Sequence, residues 1–312
     1  MKRILVTGGL GFIGSNLVEE LKSSHDVVVV DNNSSAREDW NDLVENNQNV
    51  EYVFSSYSDF KILSRVRSGE FDGIFHLAAI PRVLYSVENP VETTDTNILA
   101  SVKLIDAASK GKVKRFVFSS SSSVYGGADV LPTPPSYPKN PKSPYAWHKS
   151  AIEEFLRIQG ELHGLDSVCL RYFNVFGPGQ FGGSAYATAV SAWCNAIKEG
   201  KSLRKDGTGE QSRDMCYVDN VVQANILAMN SKKSFTGQAY NIACGDRTSN
   251  NEILEFFSKR YSNLVIDHAP FRPGDVMHTQ ADISDTENDL GYVPKVRFWE
   301  GLERTLEWWG LN

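Results

Sequence analysis

The chain has 312 residues, more than one ordinary core needs, which points to two lobes or to one large α/β domain with additions. Hydrophobic residues make up 41% and charged residues 22% with a formal net charge of −6, so a soluble protein is expected and nucleic acid is excluded for want of positive charge. Cys169, Cys194, Cys216 and Cys244 are scattered without a C-x-x-C or a Cys/His cluster, which argues for reduced, mostly buried thiols and against a metal site.

Lys2 to Val6 reads as a short buried strand running into Thr7-Gly8-Gly9-Leu10-Gly11-Phe12-Ile13-Gly14, and a helical pattern at Leu17, Val18 and Leu21 follows. The glycines fit both G-x-G-x-x-G and the looser G-x-x-G-x-x-G, spacings that let backbone approach a pyrophosphate at a helix N-terminus. A second strand, Val27 to Val30, ends at Asp31. An acid about 20 residues beyond such glycines hydrogen-bonds a ribose 2′-hydroxyl and repels a 2′-phosphate, so NAD is favoured over NADP. The apolar run 27 to 30 is far short of a membrane span, and the glycine loop interrupts any signal-peptide layout. A cytoplasmic protein is expected.

Further strand signals stand at Glu51 to Phe54, Gly73 to Leu77, Arg115 to Phe118 and Ser167 to Leu170, with helical spacing over roughly 92 to 109 and 146 to 163. This alternation predicts a doubly wound parallel sheet of the Rossmann type in an α/β fold. The outer faces of those two helices could pair across a dimer. The proline-rich stretch from Leu131 to Pro144 is expected to be loop near the mouth of the site. After Arg171, Gly177-Pro178-Gly179, Gly182-Gly183 and Gly207-Thr208-Gly209 mark loops, assigned to a smaller C-terminal substrate-binding lobe. A strand signal at Ala239 to Ala243 returns the chain to the sheet. The expected division is 1–173 with 218–245 for the dinucleotide-binding domain, and 174–217 with 246–312 for the lobe.

Tyr145-Ala-Trp-His-Lys149, preceded by serines 119 to 123, carries the chemistry. A phenol with a pKa of about 10 is a poor base at neutral pH. An ammonium within roughly 4–6 Å lowers it by about 1–3 units, and Lys149, four residues on, projects from the same helix face. A serine hydroxyl can hold the substrate oxygen. Taken alone, the pair also describes a solvated helix face, and the glycine loop a tight turn without a ligand.

With TGGLGFIG at 7–14, Asp31-Asn32, Asp59, His76-Leu77-Ala78-Ala79, Asn97, SSSSVYG at 120–126, YAWHK at 145–149 and RYFNVFGPGQ at 171–180, the chain resembles the extended short-chain dehydrogenase/reductases of the nucleotide-sugar epimerase and dehydratase group. The segments 207–224 and 272–282 resemble UDP-hexose 4-epimerases, especially the branch acting on N-acetylated sugars. The resemblance implies that Tyr145 takes the proton of the sugar 4-hydroxyl, that Ser121 binds the same oxygen, and that Lys149 binds the nicotinamide ribose. It further implies that NAD lies along Gly8, Gly11, Phe12, Ile13 and Gly14, with Asp31, Asn32, Ser34 and Ser35 beside them. Asp59, Phe60, Leu77, Ala78, Ala79, Asn97 and Phe173 complete the implied cofactor set, with Tyr145 and Lys149. A homodimer is also implied.

The positions after Ser121 decide the subclass. A 4,6-dehydratase places an Asp-Glu pair there, and decarboxylases of UDP-glucuronate usually a glutamate. Here they are Ser122 and Ser123, whose hydroxyls have no partner to make them acid or base, so epimerisation at carbon 4 is expected. Arg213 and Arg272 match the diphosphate contacts of the family. Ser122, Asn174 and Gln180 match positions touching diphosphate or sugar, and Asp275 one near the uridine ribose. Thr279 stands where epimerases restricted to glucose and galactose carry a tyrosine, so UDP-N-acetylglucosamine and its galacto epimer are expected as substrates beside UDP-glucose and UDP-galactose. Two other readings stand: a UDP-glucuronate 4-epimerase or decarboxylase, and a non-catalytic dinucleotide sensor. Trp147 and His148 inside YAWHK have no assigned part.

Overall fold

The computed structural model describes residues 2–182, 188–271 and 276–312. Six strands come first: β1 (Arg3–Thr7), β2 (Asp26–Asp31), β3 (Glu51–Phe54), β4 (Gly73–His76), β5 (Arg115–Ser121) and β6 (Ser167–Tyr172). Four short ones follow, β7 (Asn174–Phe176), β8 (Leu203–Asp206), β9 (Ser212–Arg213) and β10 (Met215–Tyr217), then β11 (Thr236–Ile242), β12 (Thr248–Ser249) and β13 (Ile266–Ala269). In chain order the helices are α1 (Phe12–Leu21), α2 (Trp40–Asn46), α3 (Phe60–Arg67), α4 (Val83–Glu88), α5 (Pro90–Thr94), α6 (Ala100–Lys110) and α7 (Pro144–His163). They continue with α8 (Ala189–Lys198), α9 (Val218–Asn230), α10 (Asn250–Arg260), α11 (Ser284–Leu290) and α12 (Phe298–Trp309). A π-helical turn, Asp95–Leu99, joins α5 to α6.

The main sheet has seven parallel strands in the order β11-β6-β5-β4-β1-β2-β3. The order reverses between β1 and β4, and ligands of open α/β sheets bind at the carboxyl ends of strands flanking such a switch. Alternation along the strands feeds two cores. Ile4, Val6, Val27 and Val29 lie on the side of α1 and α9, whereas Leu5, Val28 and Val30 join Ile62 of α3, Leu104 of α6 and Ile152 of α7. Burying each such side chain contributes about 1.5–3 kcal/mol. The first cluster continues through Phe176, Trp193, Phe257 and Leu302, so residues from both expected regions share one core.

Residues 174–269 hold three two-stranded pairs where the sequence shows only loops: β7 with β10, β8 with β13, and β9 with β12. The late strand signal belongs to β11, which pairs with β6 at the sheet edge. Pro144 is not loop. It opens α7, with the Ser143 hydroxyl accepting from Ala146 N–H at 3.2 Å, because a proline at the first helical position loses no needed donor. All four cysteines are free and buried. Among the described residues no helix is long and apolar enough to cross a membrane.

Candidate active site

The first turn of α7 and the end of β5 bring Tyr145, Lys149 and Ser121 together. Ser143 caps that turn, and Tyr145 N–H donates to the Ser86 hydroxyl at 3.1 Å, so the backbone carrying the phenol is fixed from both sides. Tyr145 is nearly buried, and burial pushes its phenol up to about 12 while a hydrogen bond from Ser121 pulls it down. Lys149 does not supply the expected lowering. Its ammonium donates to the Ser119 carbonyl at 2.6 Å and lies 5.8 Å from the centre of the Tyr145 ring. Burial brings Lys149 itself down to about 7, with Glu153 opposing that fall.

The Ser121 hydroxyl accepts from the backbone N–H of Ser123 at 3.2 Å and from the Ser123 hydroxyl at 3.0 Å. Ser123 therefore turns the remaining Ser121 proton toward Tyr145, a role the sequence did not reveal. Ser122 opens the 3₁₀ turn Ser122–Tyr125 and is half-buried. The neighbouring serines are also held by α7: Ser120 donates to Glu153 at 2.6 Å. Arg171 of β6 binds the same carboxylate with two nitrogens, at 2.8 and 2.7 Å, and donates to the Tyr125 hydroxyl at 2.8 Å. Spacing could have shown this, since Tyr145, Lys149 and Glu153 recur every four residues on one helix face.

Of the residues expected to hold NAD, the glycine loop, Asp31 to Ser35 and Leu77 to Ala79 lie at the carboxyl ends of β1, β2 and β4 and in the turns that follow. Two glycines serve the turn itself. Gly8 has φ +73° and a Cβ there would stand 2.7 Å from Ala78 N, while a Cβ on Gly14 would stand 2.0 Å from Gly8 O. Gly11 is different, because its Cβ would make only ordinary contacts, with Gly8 O at 3.4 Å and Ser35 O at 3.9 Å. It stands at the start of α1, which has no side-chain cap, so the first N–H groups of that helix are left for a ligand. A dinucleotide pyrophosphate fits this cradle.

Asp31 accepts from Leu10 N–H at 3.0 Å and Asn33 N–H at 2.8 Å, which ties the glycine loop to the end of β2. Burial raises its pKa against those two donors. Asn32 accepts from Ser34, and Ser35 O lies 3.9 Å from where a Gly11 Cβ would stand. Asp59 caps α3 through Lys61 N–H at 2.8 Å, and Phe60 beside it is exposed. Leu77, Ala78 and Ala79 are half-buried after β4, with Ala78 N–H on the Thr7 hydroxyl at 3.3 Å. Asn97 is buried in the π-helical turn. Phe173 packs with Val124, Tyr125, Ala243 and Ala281 in a small apolar cluster.

Thr7, His76, Ser101 and Asn97 form one directed chain. Ser101 donates to Asn97 O at 2.9 Å, so it accepts from His76 Nε2–H at 2.9 Å, and His76 Nδ1 accepts from Thr7 at 2.8 Å. His76 is neutral, its pKa pushed down to about 3 by burial and then by Lys149.

On the substrate side, Asn174 begins β7 opposite Met215 of β10. Gln180 spends its amide within its own loop, donating to Val175 O at 3.1 Å and accepting from Thr188 and Ser191 at 2.9 and 3.2 Å. Arg213 donates to the carbonyls of Ser212 and Met277 at 3.0 and 3.2 Å. Thr279, half-buried, accepts from Asp214 N–H at 3.2 Å through its hydroxyl. Asp214 accepts N–H from Cys244, Gly245 and Ala281 at 2.9 to 3.0 Å, so one carboxylate joins β9 and the segment bearing Thr279 to the residues just after β11. Arg272 and Asp275 lie outside the described residues.

Residues 4–243 match the model of the NAD dependent epimerase/dehydratase family. The chain is similar, at 37% identity, to the structure of a UDP-N-acetylglucosamine 4-epimerase from Methanobrevibacter ruminantium in complex with UDP-N-acetylmuramic acid, with a TM-score of 0.92 covering 98% of this chain and 97% of that one. A UDP-glucose 4-epimerase from Thermotoga maritima with UDP-glucose is 36% identical, with a TM-score of 0.91 over 99% and 98% of the two chains. A UDP-glucose 4-epimerase of Thermus thermophilus in complex with NAD is 30% identical, with a TM-score of 0.88 over 99% of each.

Proposed function

The chain belongs to the NAD dependent epimerase/dehydratase family, and we propose that it inverts carbon 4 of UDP-hexoses through a 4-keto sugar. The observation that carries this reading is the Ser123–Ser121–Tyr145 line of hydroxyls at the end of β5, with Lys149 behind it and no carboxylate at position 122 or 123. The site can move one proton at a sugar hydroxyl, and those two serines offer no acid and base for eliminating water.

Gly11, the first turn of α1 and Asp31 would hold NAD, which when bound would supply a hydride acceptor. Ser121 hydrogen-bonds the sugar O4. Tyr145 in its phenolate form would take the O4 proton as the C4 hydrogen leaves with its electron pair for the hydride acceptor, and the sugar becomes a 4-ketone. The ketone turns its other face, the hydride returns to C4, and Tyr145 gives the proton back to O4, so atoms and redox state balance. Lys149, held on Ser119 O, places its amino group beside the phenol ring.

Arg213, Arg272, Asn174, Gln180, Ser122 and Asp275 are proposed to grip the nucleotide and sugar, and Thr279 to leave room for a 2-N-acetyl group. UDP-N-acetylglucosamine and UDP-N-acetylgalactosamine are then substrates alongside UDP-glucose and UDP-galactose. We also infer a homodimer, supported by Val83, Leu84, Val87, Val91 and Trp147, apolar side chains exposed on α4, α5 and α7.

Incubating the purified protein with each of the four UDP-sugars, without added cofactor, tests the reading: 4-epimers should form without loss of mass. Tyr145→Phe should lower kcat by about 10²–10⁴, the usual worth of a general acid–base group. Full turnover by that variant, or carbon dioxide released from UDP-glucuronate instead of epimers, overturns the reading.

A further inference from the structure

We propose that His148 is a positioning residue that sets the loop after β4, residues 77 to 80, through Asn97. The proposal rests on the reading that this loop lines the NAD site. His148 lies between Tyr145 and Lys149 in α7, is fully buried, and meets Thr94 and Asn97, at and just before the π-helical turn. Asn97 of that turn grips the loop with both ends of its amide: Oδ1 accepts from Ile80 N–H at 2.8 Å and Nδ2 donates to Ile80 O at 3.1 Å. These two bonds fix which end is nitrogen.

The second Nδ2 hydrogen is left for His148, whose Nδ1 stands 3.4 Å away. An amide nitrogen only donates, so Nδ1 accepts and the ring carries its hydrogen on Nε2, which donates to Thr94 at 2.9 Å. The imidazole must be neutral for this arrangement, and burial and then Lys149 hold its pKa down to about 4. An α-helix would not present Asn97 this way. The π turn inserts an extra residue, whose displaced carbonyls are taken by Tyr57 at Thr96 and Ser101 at Asn97. His148 is the support from the α7 side, so one helix carries both the proton-transfer groups and the brace of the cofactor loop.

Three substitutions separate this role from simple filling of space. Asparagine places an acceptor oxygen where Nδ1 stands, glutamine a donor nitrogen near Nε2, and phenylalanine fills the volume with neither. NAD affinity of the stripped protein, measured by calorimetry, should stay within about threefold for His148→Asn. It should fall about tenfold or more for His148→Gln and His148→Phe, as expected when a buried amide donor loses its acceptor. In those two variants kcat should drop while the KM for the UDP-sugar stays near the wild-type value. Equal NAD affinity for the asparagine and glutamine variants, or wild-type affinity in His148→Phe, overturns the proposal. If His148→Phe does not fold, the asparagine and glutamine pair decides it alone. Should no UDP-sugar turn over, the epimerase reading falls while NAD affinity still decides the part of His148.

Discussion

Tyr145 starts from a phenol that burial has made a stronger base and a more reluctant acid, so the protein must orient its partners well for the proton to move in both directions. Ser123 is one such partner. Ser123→Ala should leave the Ser121 hydroxyl free to rotate and lower kcat by a few-fold to tenfold with little change in KM, which steady-state kinetics would show. Thr279→Tyr should remove activity on the N-acetylated sugars and keep it on UDP-glucose, because the ring would occupy the space beside carbon 2. That Tyr145 and Lys149 share one helix face could be read in the sequence from their spacing, and Ser121 beside them from the resemblance of the serine run. Ser123 and His148 could not, since their partners depend on the turn after β5 and on a π-helical turn that no apolar period announces.

Between elements, α7 and the end of β5 are registered residue by residue. Ser119 meets Lys149, Ser120 meets Glu153, Ser121 meets Tyr145, and Arg171 of β6 closes the set on Glu153. Both members of the Arg171–Glu153 pair are buried, with side chains 6% and 3% exposed. Glu153→Gln should therefore cost about 3–5 kcal/mol, since it strands a buried guanidinium, whereas Glu153→Leu combined with Arg171→Met should cost less than the single change. Urea denaturation of the three variants checks both statements. The long strands and helices were legible because periods of 2.0 and 3.6 repeat several times within them. Strands of two to four residues, such as β9 and β12, repeat no period, so glycines alone marked that region and it read as loop.

For the whole molecule, acid sensitivity has a traceable source. The folded chain holds His76 neutral to about pH 3, while an unfolded histidine protonates near 6.5. Its contribution is complete above pH 6.5 and is lost as pH falls toward 3, at roughly 1.4 kcal/mol per unit, or about 2 kcal/mol by pH 5. Asp214, which burial pushes up to about 7, works in the opposite direction, so the comparison must be made against His76→Gln. The variant should lose less stability than the wild type between pH 7 and pH 5 in urea titrations. On the outer surface, the homodimer proposed above predicts that Trp147→Glu sediments as monomers where the wild type sediments as dimers, since Trp147 is 51% exposed beside the apolar side chains of α4.

β6 is buried along its whole length and waits for β11, a strand separated from it by the 63 residues from 173 to 235. On the ribosome, a nascent chain that has emerged only as far as α9 carries six strands with an unclosed apolar border. A truncation ending at residue 230 should therefore aggregate or recruit chaperones, whereas one that includes Ile242 completes the sheet. Pulse-labelled fragments of the two lengths, compared for solubility, would show at which residue this protein's seven-stranded sheet becomes self-sufficient.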